Sequence, residues 1–370
     1  MKKVLFALVA MSLLFTACED GNDDFIKLKE VDDVCTMMDD LELMEHCYEE
    51  YDVNKDGKVS MSEAAAVTEI DTYVDRSIKG LEYFINLTDI EILFYEGCTM
   101  NLDFRPFKNL KSLDLYHYNG MSEDPIKINL SNNKALEILK ISGFTFPQLD
   151  LSKLTNLQEL ELFANISEKL DLSKLSNLKN IFIKKNISVN WGSLSECVYL
   201  SLGEEASNGL NISNCTKLEY LSYHINGGDK NNPVNIDLSN NKALKELHLT
   251  GASTGTFISK LDLSQHLQFS RISFKDVLFS WVYIDNGNKL YISLDYDFPN
   301  YTAMTNDDTN DDSFFMGICI NNEQRYDYEV YFDPDQWSSV SYDNHKNIGE
   351  LHSAAYQNNN QYIEFGFGVR

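Results

Sequence analysis

A short pattern of apolar positions recurs through the middle of the chain. Nine segments have the form apolar-x-x-apolar-x-apolar, and their second anchors are Ile90, Leu113, Leu139, Leu160, Ile181, Leu200, Leu221, Leu247 and Ile272. Successive second anchors are 23, 26, 21, 21, 19, 21, 26 and 25 residues apart. Alternation with period two predicts a short β-strand whose anchors face one side and whose intervening residues face the other. The spacing predicts that these strands stack as successive turns of a solenoid.

A second phrase recurs between the predicted strands. Its copies are INLSNNKAL (128–136), LDLSKLTNL (149–157), LDLSKLSNL (170–178), LNISNCTKL (210–218) and IDLSNNKAL (236–244). The apolar residues add to the core, and the serines and asparagines suit tight turns because they hydrogen-bond nearby backbone groups. Each repeat is therefore predicted to contain a strand, a turn, an apolar convex segment and a return turn. Its leucines become buried only when neighbouring repeats stack on it.

Together these two patterns resemble the leucine-rich-repeat family over residues 65–279. The LDLSxxxxL phrase is similar to that of surface lipoproteins of the Bacteroidetes and, more distantly, of internalins. A β-helix would need a shorter and more uniform period. The resemblance implies an α/β solenoid, with asparagines at the ninth repeat position that hydrogen-bond the backbone of the turn after each strand. Three copies have an asparagine there, namely Asn165, Asn186 and Asn226.

The residues between the anchors are predicted to lie on the concave face of the solenoid. They are mainly acidic in the early strands, aromatic or neutral in the middle and basic in the last strand. Aromatic side chains contribute much of the binding energy of interfaces, so these positions predict a surface for a protein or glycan ligand. The candidate ligand-binding face comprises Tyr116, Phe163, Phe182, Tyr199, Tyr220, His224 and His248. The alternative is that the aromatic residues are present only because they favour β-strands.

A stretch before the repeats, DVNKDGKVSMSE (52–63), matches the twelve-residue calcium loop of an EF-hand. Ca²⁺ prefers hard oxygen ligands, and a glycine at the sixth place allows the sharp turn that the loop requires. The predicted ligands are Asp52, Asn54, Asp56, Ser60 and Glu63 through their side chains and Lys58 through its backbone carbonyl. The alternative is a solvated acidic helix-turn-helix without a metal.

The sequences on either side of this loop predict two helices. Before the loop, apolar or aromatic residues recur every three to four positions, which predicts an amphipathic entering helix. They are Val34, Met38, Leu41, Met44, Tyr48 and Tyr51. If Cys35 and Cys47 both lie on that helix, they are about 18 Å apart and cannot form a disulfide. Ser60 and Glu63 have the spacing of a capping box at the start of an exiting helix (61–67), although Ala64 stands where EF-hands usually carry a bulky apolar residue. Because only one loop is present, we expect Ca²⁺ to stabilise the cap of the first repeat rather than to act as a regulatory switch.

The N-terminus MKKVLFALVAMSLLFTAC resembles the signal sequence of a bacterial lipoprotein. Its apolar run is too short to span a bilayer, so residues 1–17 are predicted to be cleaved and Cys18 to be lipidated. Residues 18–30 are predicted to form a flexible acidic tether, which resembles the stretch that sends lipoproteins of the Bacteroidetes to the cell surface. The sequence thus predicts an outer-membrane protein anchored only by lipid. A formal net charge of -26 argues against nucleic acid as a partner.

These predictions divide the chain into five parts. They are a signal peptide (1–17), a tether (18–30), a helical EF-hand-like cap (31–68), the leucine-rich repeats (69–279) and a β-rich C-terminal module (280–370). The last part has alternating, aromatic-rich segments that predict strands. No catalytic motif such as GxSxG or HExxH occurs, so a non-enzymatic binding protein is the first hypothesis. The alternatives are a hydrolytic or polysaccharide-processing enzyme with its site in the C-terminal module, and a purely structural envelope protein.

Overall fold

The computed structural model describes most of residues 28–295 and four later strands. The described residues are 28–75, 77–95, 102–118, 120, 125–184, 187–203, 207, 209–225, 227–228, 232–251, 256–263, 265–266, 268, 270–275, 277–284, 290–295, 313–320, 328–332, 340–341 and 361–368. The predicted signal peptide, Cys18 and most of the predicted tether lie outside them. No helix in the described ranges has the length and apolar character needed to cross a membrane.

Three short helices form the N-terminal cap. They are a 3-10 helix at Val34–Met37, α1 at Leu41–Tyr51 and α2 at Met61–Ala64. The prediction of one continuous entering helix is wrong, because the chain is extended at Met38 and α1 begins only after Asp40, which caps it by accepting from Leu43 N. Leu41 is 73% exposed, whereas Leu43 and Cys47 are buried. The exiting helix is also shorter than predicted, since it ends at Ala64.

The break in the first helix brings two cysteines together. Cys35 lies in the 3-10 helix and Cys47 in α1, and both thiols are buried and reduced. A side-chain hydrogen bond with Cys35, followed by burial, raises the pKa of the Cys47 thiol. The separation of about 18 Å therefore does not apply, because it holds only if both residues share one straight helix.

Apart from a 3-10 helix at Leu81–Tyr83, the regular secondary structure in the rest of the described chain consists of β-strands. The strands are β1 Glu69–Val74, β2 Asp89–Phe94, β3 Leu102–Asp103, β4 Ser112–His117, β5 Ile128–Asn129, β6 Ile138–Phe146, β7 Glu159–Ile166, β8 Leu170–Asp171, β9 Asn180–Ile183, β10 Val189–Asn190, β11 Tyr199–Leu202, β12 Tyr220–His224, β13 Glu246–Thr250, β14 Thr256–Leu263, β15 Arg271–Lys275, β16 Val277–Ile284, β17 Leu290–Asp295, β18 Ser313–Ile320, β19 Tyr328–Phe332, β20 Val340–Ser341 and β21 Gln361–Gly368. Of these, β3 pairs with β5 and β8 with β10 in two small sheets on the return side of the repeats.

One long parallel sheet organises these strands. Within the described residues it has the order β1-β2-β4-β6-β7-β9-β11-β12-β13-β15-β17-β19, and every neighbouring pair is parallel. The register pairs equivalent anchors, as in Ile90 with Leu113 and Leu113 with Leu139. All nine predicted second anchors are buried in it. The pattern therefore predicted both the strands and the side of the sheet that faces the core.

The sheet extends beyond the repeats that the pattern identified. It begins one strand earlier, at β1, and continues through β17 and β19 beyond residue 280. A second sheet has the order β14-β16-β18-β21-β20, in which β21 runs antiparallel to β18 and to β20. The predicted C-terminal strand segments KLYISLDYDF, SFFMGICIN, DYEVYFDP and YIEFGFGVR contain β17, β18, β19 and most of β21. Among the described residues, β15 and β17 pair in the main sheet across the predicted boundary at residue 280.

Polar side chains organise the turns on the convex side. In all five copies of the convex phrase, a side-chain oxygen accepts a hydrogen bond from the backbone N–H of the serine two residues later. The acceptors are Asn129, Asp150, Asp171, Asn211 and Asp237. Each such bond closes the turn that follows the inward apolar residues.

Buried asparagines link successive repeats. Asn133 Nδ2 donates to the carbonyls of Phe104 and Phe107 at 2.8 and 2.7 Å, and Asn241 does the same to two carbonyls of the preceding turn. The expectation for the ninth repeat position is wrong at Asn165, which is exposed and contacts the Thr145 hydroxyl rather than backbone. The other two residues of that prediction, Asn186 and Asn226, lie outside the described residues.

Candidate functional site: the acidic loop and the concave face

The acidic loop (52–63) is folded around the backbone of its own turn. Asp52 accepts two hydrogen bonds, from Asp56 N at 3.1 Å and from Gly57 N at 2.8 Å. Asn54 Oδ1 accepts from Asp56 N at 2.8 Å, and Asp56 Oδ1 accepts from Lys58 N at 3.0 Å. Gly57 has a φ of 82°, in the left-handed region that favours glycine. The side chains at the first, third and fifth places of the loop thus surround its turn.

Glu63 holds the two ends of the loop together. Its Oε1 accepts from Val53 N at 3.1 Å and from Asn54 N at 3.3 Å, and its Oε2 accepts from Ser60 N at 2.9 Å and Ser60 Oγ at 2.8 Å. The hydrogen bond from Ser60 N is the largest cause of a lowered pKa at Glu63. Ser60 Oγ in turn accepts from Glu63 N at 3.2 Å, which confirms the predicted capping box.

The donor atoms of the loop match the chemistry of Ca²⁺, but they are not arranged as a preformed cage. Asp52, Asn54, Asp56 and Glu63 present hard oxygens at the places that an EF-hand requires. In the part of the chain that the structure describes, no three His, Cys, Asp or Glu side chains are grouped so that they could hold a metal ion. To bind Ca²⁺ through both oxygens, Glu63 would have to give up its hydrogen bonds from the backbone N–H groups of the loop. The metal site therefore stays a prediction.

The loop is attached to the cap and, through it, to the first repeats. Val34 N donates to Val59 O at 2.8 Å, and Val59 N donates to Asp33 Oδ1 at 3.2 Å. Asp40 Oδ2 accepts from Ser77 N at 3.1 Å, which connects α1 to the segment after β1. These contacts make the loop part of the structure that covers the first edge of the sheet.

Acidic side chains face outward from the first strands of the main sheet. The in-register positions Asp71, Glu91, Asp114, Lys140 and Glu161 form what we call the acidic row. Lys140 Nζ lies 3.2 Å from Glu159 Oε1, and this contact is the main cause of the raised pKa of Lys140. Partial burial and then the charge of Glu91 raise the pKa of Asp114. The row is therefore a strip of negative charge with a single base at its fourth position.

Exposed tyrosines lie beside this row. The tyrosine patch comprises Tyr73, Tyr95, Tyr116 and Tyr118, whose exposed fractions are 49, 40, 46 and 59%. The rings of Tyr73 and Tyr95 meet edge to face at 5.5 Å, and those of Tyr95 and Tyr118 are tilted by 53° at 5.4 Å. A concave cavity of about 570 Å³ is lined by carboxylates of the row, by Tyr73 and Tyr116, and by His46 of α1. The acidic row and two residues of the tyrosine patch thus share one open depression.

The middle of the concave face has a different arrangement of rings. Tyr199 and Tyr220 stack face to face, with ring centroids 4.2 Å apart and an angle of 8°, and Tyr220 lies 5.2 Å from the His248 ring. We call these three residues the ring stack. Burial is the largest cause that raises the pKa of Tyr220, to about 12. Lys184 Nζ lies 4.6 Å from the centre of the nearby Phe182 ring. All three rings of the stack are half-buried.

Comparison with known proteins identifies the fold. No family model and no curated protein matches the sequence. Among solved structures, the functional domain of InlJ from Listeria monocytogenes, which includes a cysteine ladder, matches 72% of this chain at 14% identity with a TM-score of 0.50. The fold is a leucine-rich-repeat solenoid. The chain spans 61% of the length of the InlJ structure.

Two further Listeria monocytogenes internalins are similar to this leucine-rich-repeat chain at lower scores. The internalin InlF structure has 16% identity and a TM-score of 0.31, and matches 69% of this chain and 94% of its own. The internalin C2 structure has 16% identity and a TM-score of 0.33, and matches 68% of this chain and 92% of its own. The assignment of the fold rests on the InlJ domain and on the repeat geometry described above.

The leucine-rich-repeat geometry divides the seven residues of the predicted ligand-binding face into two groups. Tyr116 and Phe163 lie on early strands and are 46 and 36% exposed. The other five are Phe182, Tyr199, Tyr220, His224 and His248, and all are half-buried in the middle strands. His224 lies at the end of β12, where its backbone N–H donates to Ser207 Oγ at 3.2 Å. The face is thus two surfaces of different chemistry.

Sequence reasoning missed three members of the tyrosine patch. Tyr73 lies on β1, one strand before the first segment that the pattern registered. Tyr95 and Tyr118 directly follow β2 and β4, and their N–H groups continue the parallel ladder to Val74 O and Phe94 O at 3.0 and 2.9 Å. Extending the alternation by one strand and by one outward position would have found all three.

Proposed function

We propose that this chain is a non-enzymatic binding protein that holds a protein partner on the concave face of its repeats. The observation that carries this proposal is the exposure of four tyrosines on the open face of a parallel sheet. Aromatic side chains supply large contact areas at little entropic cost, so their exposure on a rigid scaffold favours recognition. The likeness of the fold to the InlJ domain supports a scaffold of this kind, but function is carried by the surface.

A protein partner suits both ring arrangements better than a glycan does. Sugar rings are usually bound on flat, coplanar aromatic platforms. The rings of the tyrosine patch meet edge to face or at a tilt, and Tyr199 and Tyr220 cover each other's faces. Protein side chains, in contrast, can pack against ring edges and into the spaces between rings.

The concave face favours binding over catalysis. The carboxylates of the face lie on an open sheet rather than in a cleft that excludes water. One of them, Glu159, is paired with Lys140. The alternative of a hydrolytic or polysaccharide-processing enzyme places its site in residues 280–370, whose side chains lie outside the described residues.

A screen of the full chain against a host-protein array and a glycan array tests the proposal. We expect a protein partner whose binding is weakened when Tyr73 or Tyr116 is replaced by alanine. Exclusive binding of glycans, or turnover of a polysaccharide, would contradict it. The control is Ile85→Ala, because Ile85 is exposed but lies before β2, outside the strands of the concave face.

We further propose that Ca²⁺ stabilises the acidic loop and with it the N-terminal cap. Support comes from the oxygen donors at places one, three, five and twelve and from the left-handed glycine at place six. Calcium should raise the melting temperature of the wild-type chain and leave that of Glu63→Gln unchanged, because the amide offers only one oxygen to the ion. Glu49→Gln, outside the loop, is the control. Equal melting temperatures with calcium and with chelator, together with no binding heat, would exclude the site.

Anchoring by a lipid on Cys18 is the third part of the proposal. It rests on the signal-like N-terminus and the acidic residues that follow it. We expect mass spectrometry of the membrane fraction to find a lipidated Cys18, and Cys18→Ser to release the chain from the membrane. External protease should digest the wild-type protein on intact cells. Retention of the variant in the membrane fraction would contradict lipid anchoring.

A further inference from the structure

Large apolar side chains are exposed mainly at one end of the concave face. Among the described residues, the large hydrophobic side chains that are exposed are Leu41, Val53, Tyr73, Ile85, Tyr95, Tyr116, Tyr118 and Phe163. All four residues of the tyrosine patch are among them, together with Phe163 on the same side of β7. Contiguous apolar exposure of this kind indicates a surface that another molecule covers.

The acidic row beside this patch is unfavourable for folding. Adjacent strands are roughly 4.8 Å apart, so in-register carboxylates at Asp71, Glu91 and Asp114 repel each other. The repulsion from Glu91 contributes to the raised pKa of Asp114. Neutral residues occupy the same row in the middle strands, at Ser201 and Ser222. The solenoid therefore does not require these charges, whereas a partner of opposite charge would use them.

We propose that the tyrosine patch and the acidic row together bind an extended, arginine- or lysine-bearing segment of a protein partner. The inference rests on the proposed binding function and specifies where the partner binds and what chemistry it has. Arginine fits best, since a guanidinium can bind a carboxylate through two parallel hydrogen bonds and stack on a tyrosine ring. Both kinds of group line the cavity of about 570 Å³.

The dimensions of the acidic row limit the length of the segment. From β1 to β7 the row crosses four strand spacings, or roughly 19 Å, which corresponds to about six residues of extended chain. Lys140 at the fourth position is paired with Glu159, so a basic side chain is least favourable there. We therefore expect the basic residues of the partner to face Asp71, Glu91 and Asp114.

An octapeptide that carries four arginines tests the proposal against the same peptide with neutral citrulline in place of arginine. Fluorescence anisotropy with the full chain should show binding of the arginine peptide that weakens with salt, and about tenfold weaker binding of the citrulline peptide. The variant Glu91→Gln/Asp114→Asn should lower the affinity for the arginine peptide about tenfold, and Tyr73→Ala/Tyr116→Ala should lower it several-fold.

The matched control is Glu168→Gln/Glu246→Gln, which removes two charges outside the acidic row. Unchanged affinity in this control, with no loss of thermal stability in any of the three variants, supports the proposal. Equal weakening in the control would show non-specific attraction to the acidic chain and would overturn it. A protein from the array that depends on the ring stack but not on Glu91 and Asp114 would overturn this inference and leave the proposed function intact. A glycan bound at the tyrosine patch would overturn it as well.

Discussion

The first strands and the middle strands of the concave face share one backbone but have different surfaces. In β1, β2 and β4, and directly after β2 and β4, the outward residues include carboxylates and exposed tyrosines, and the rings of Tyr73, Tyr95 and Tyr118 meet edge to face or at a tilt. In β11, β12 and β13 they include Ser201, Ser222 and the ring stack, in which Tyr199 and Tyr220 lie face to face and His248 is tilted against Tyr220. Register and strand direction are the same in both regions. The outward positions of the repeat can therefore change their chemistry without changing the fold.

The rings of the two regions are also expected to have different roles, one in the stability of the fold and the other in binding. Rings that cover each other's faces in the ring stack have already buried apolar area, so they contribute to the stability of the solenoid. Rings of the tyrosine patch keep about half of their surface in water, and that area is gained only when a partner covers it. We therefore expect substitutions in the stack to affect mainly folding and those in the patch to affect mainly binding.

The largest expected effect tests whether the two regions have equivalent cores. Leu113 and Leu221 are second anchors of the two regions and are buried to the same degree. Replacing either with alanine should lower the free energy of unfolding by about 2–5 kcal/mol, because each leaves a cavity. Urea denaturation of the two variants measures this. Costs that differ by more than about 2 kcal/mol would show that the regions differ in their cores as well as on their surfaces.

The next effect concerns the asparagines that link repeats. Asn133→Ala in the first region and Asn241→Ala in the second should each cost about 1–3 kcal/mol, because two buried carbonyls lose their donor. Thermal unfolding is the measurement. Asn240→Ala, at an exposed neighbouring position, is the control and should change stability by less than about 0.5 kcal/mol. Tolerance of both buried substitutions would show that these hydrogen bonds contribute little to stacking.

A smaller effect separates the ring stack from the tyrosine patch. Tyr220→Ala should lower stability by about 1 kcal/mol, because its ring stacks on Tyr199 and is half-buried. Tyr118→Ala should change stability by less than about 0.5 kcal/mol, because its ring is 59% exposed. Chemical denaturation of the pair compares them directly. A larger loss for Tyr118→Ala would reverse the distinction drawn between the two surfaces.

The smallest effect concerns the charge of Asp114. A raised pKa means that the folded chain binds the proton more tightly than the unfolded chain, so the ionised carboxylate opposes folding as pH rises through the folded-state value. Asp114→Asn should therefore raise stability at pH 7, by no more than about 0.5 kcal/mol, and the gain should vanish below pH of about 4. Melting curves at both pH values measure it. Asp114→Glu keeps the charge and should show no such gain.

Local pattern was sufficient to predict the repeats but not the cap. The nine registered strands, their buried anchors and the capping box of Ser60 and Glu63 follow from short-range rules of period and hydrogen bonding. The entering helix was mispredicted because the apolar spacing continues through Met38 and Leu41, where Asp40 starts a new helix. The contact between Cys35 and Cys47 follows from that break and was therefore missed.

The sequence by itself determined the repeat, because buried leucines at fixed intervals can be satisfied only by stacking. It also determined the EF-hand spacing of the acidic loop, with Asp52, Asn54, Asp56 and Glu63 as oxygen donors. Only the tertiary structure decided which outward rings stack and which stay exposed, since strands far apart in sequence become neighbours through the register of the sheet. The same register placed the carboxylates of the acidic row beside the tyrosine patch, and this juxtaposition carries the inference about the partner.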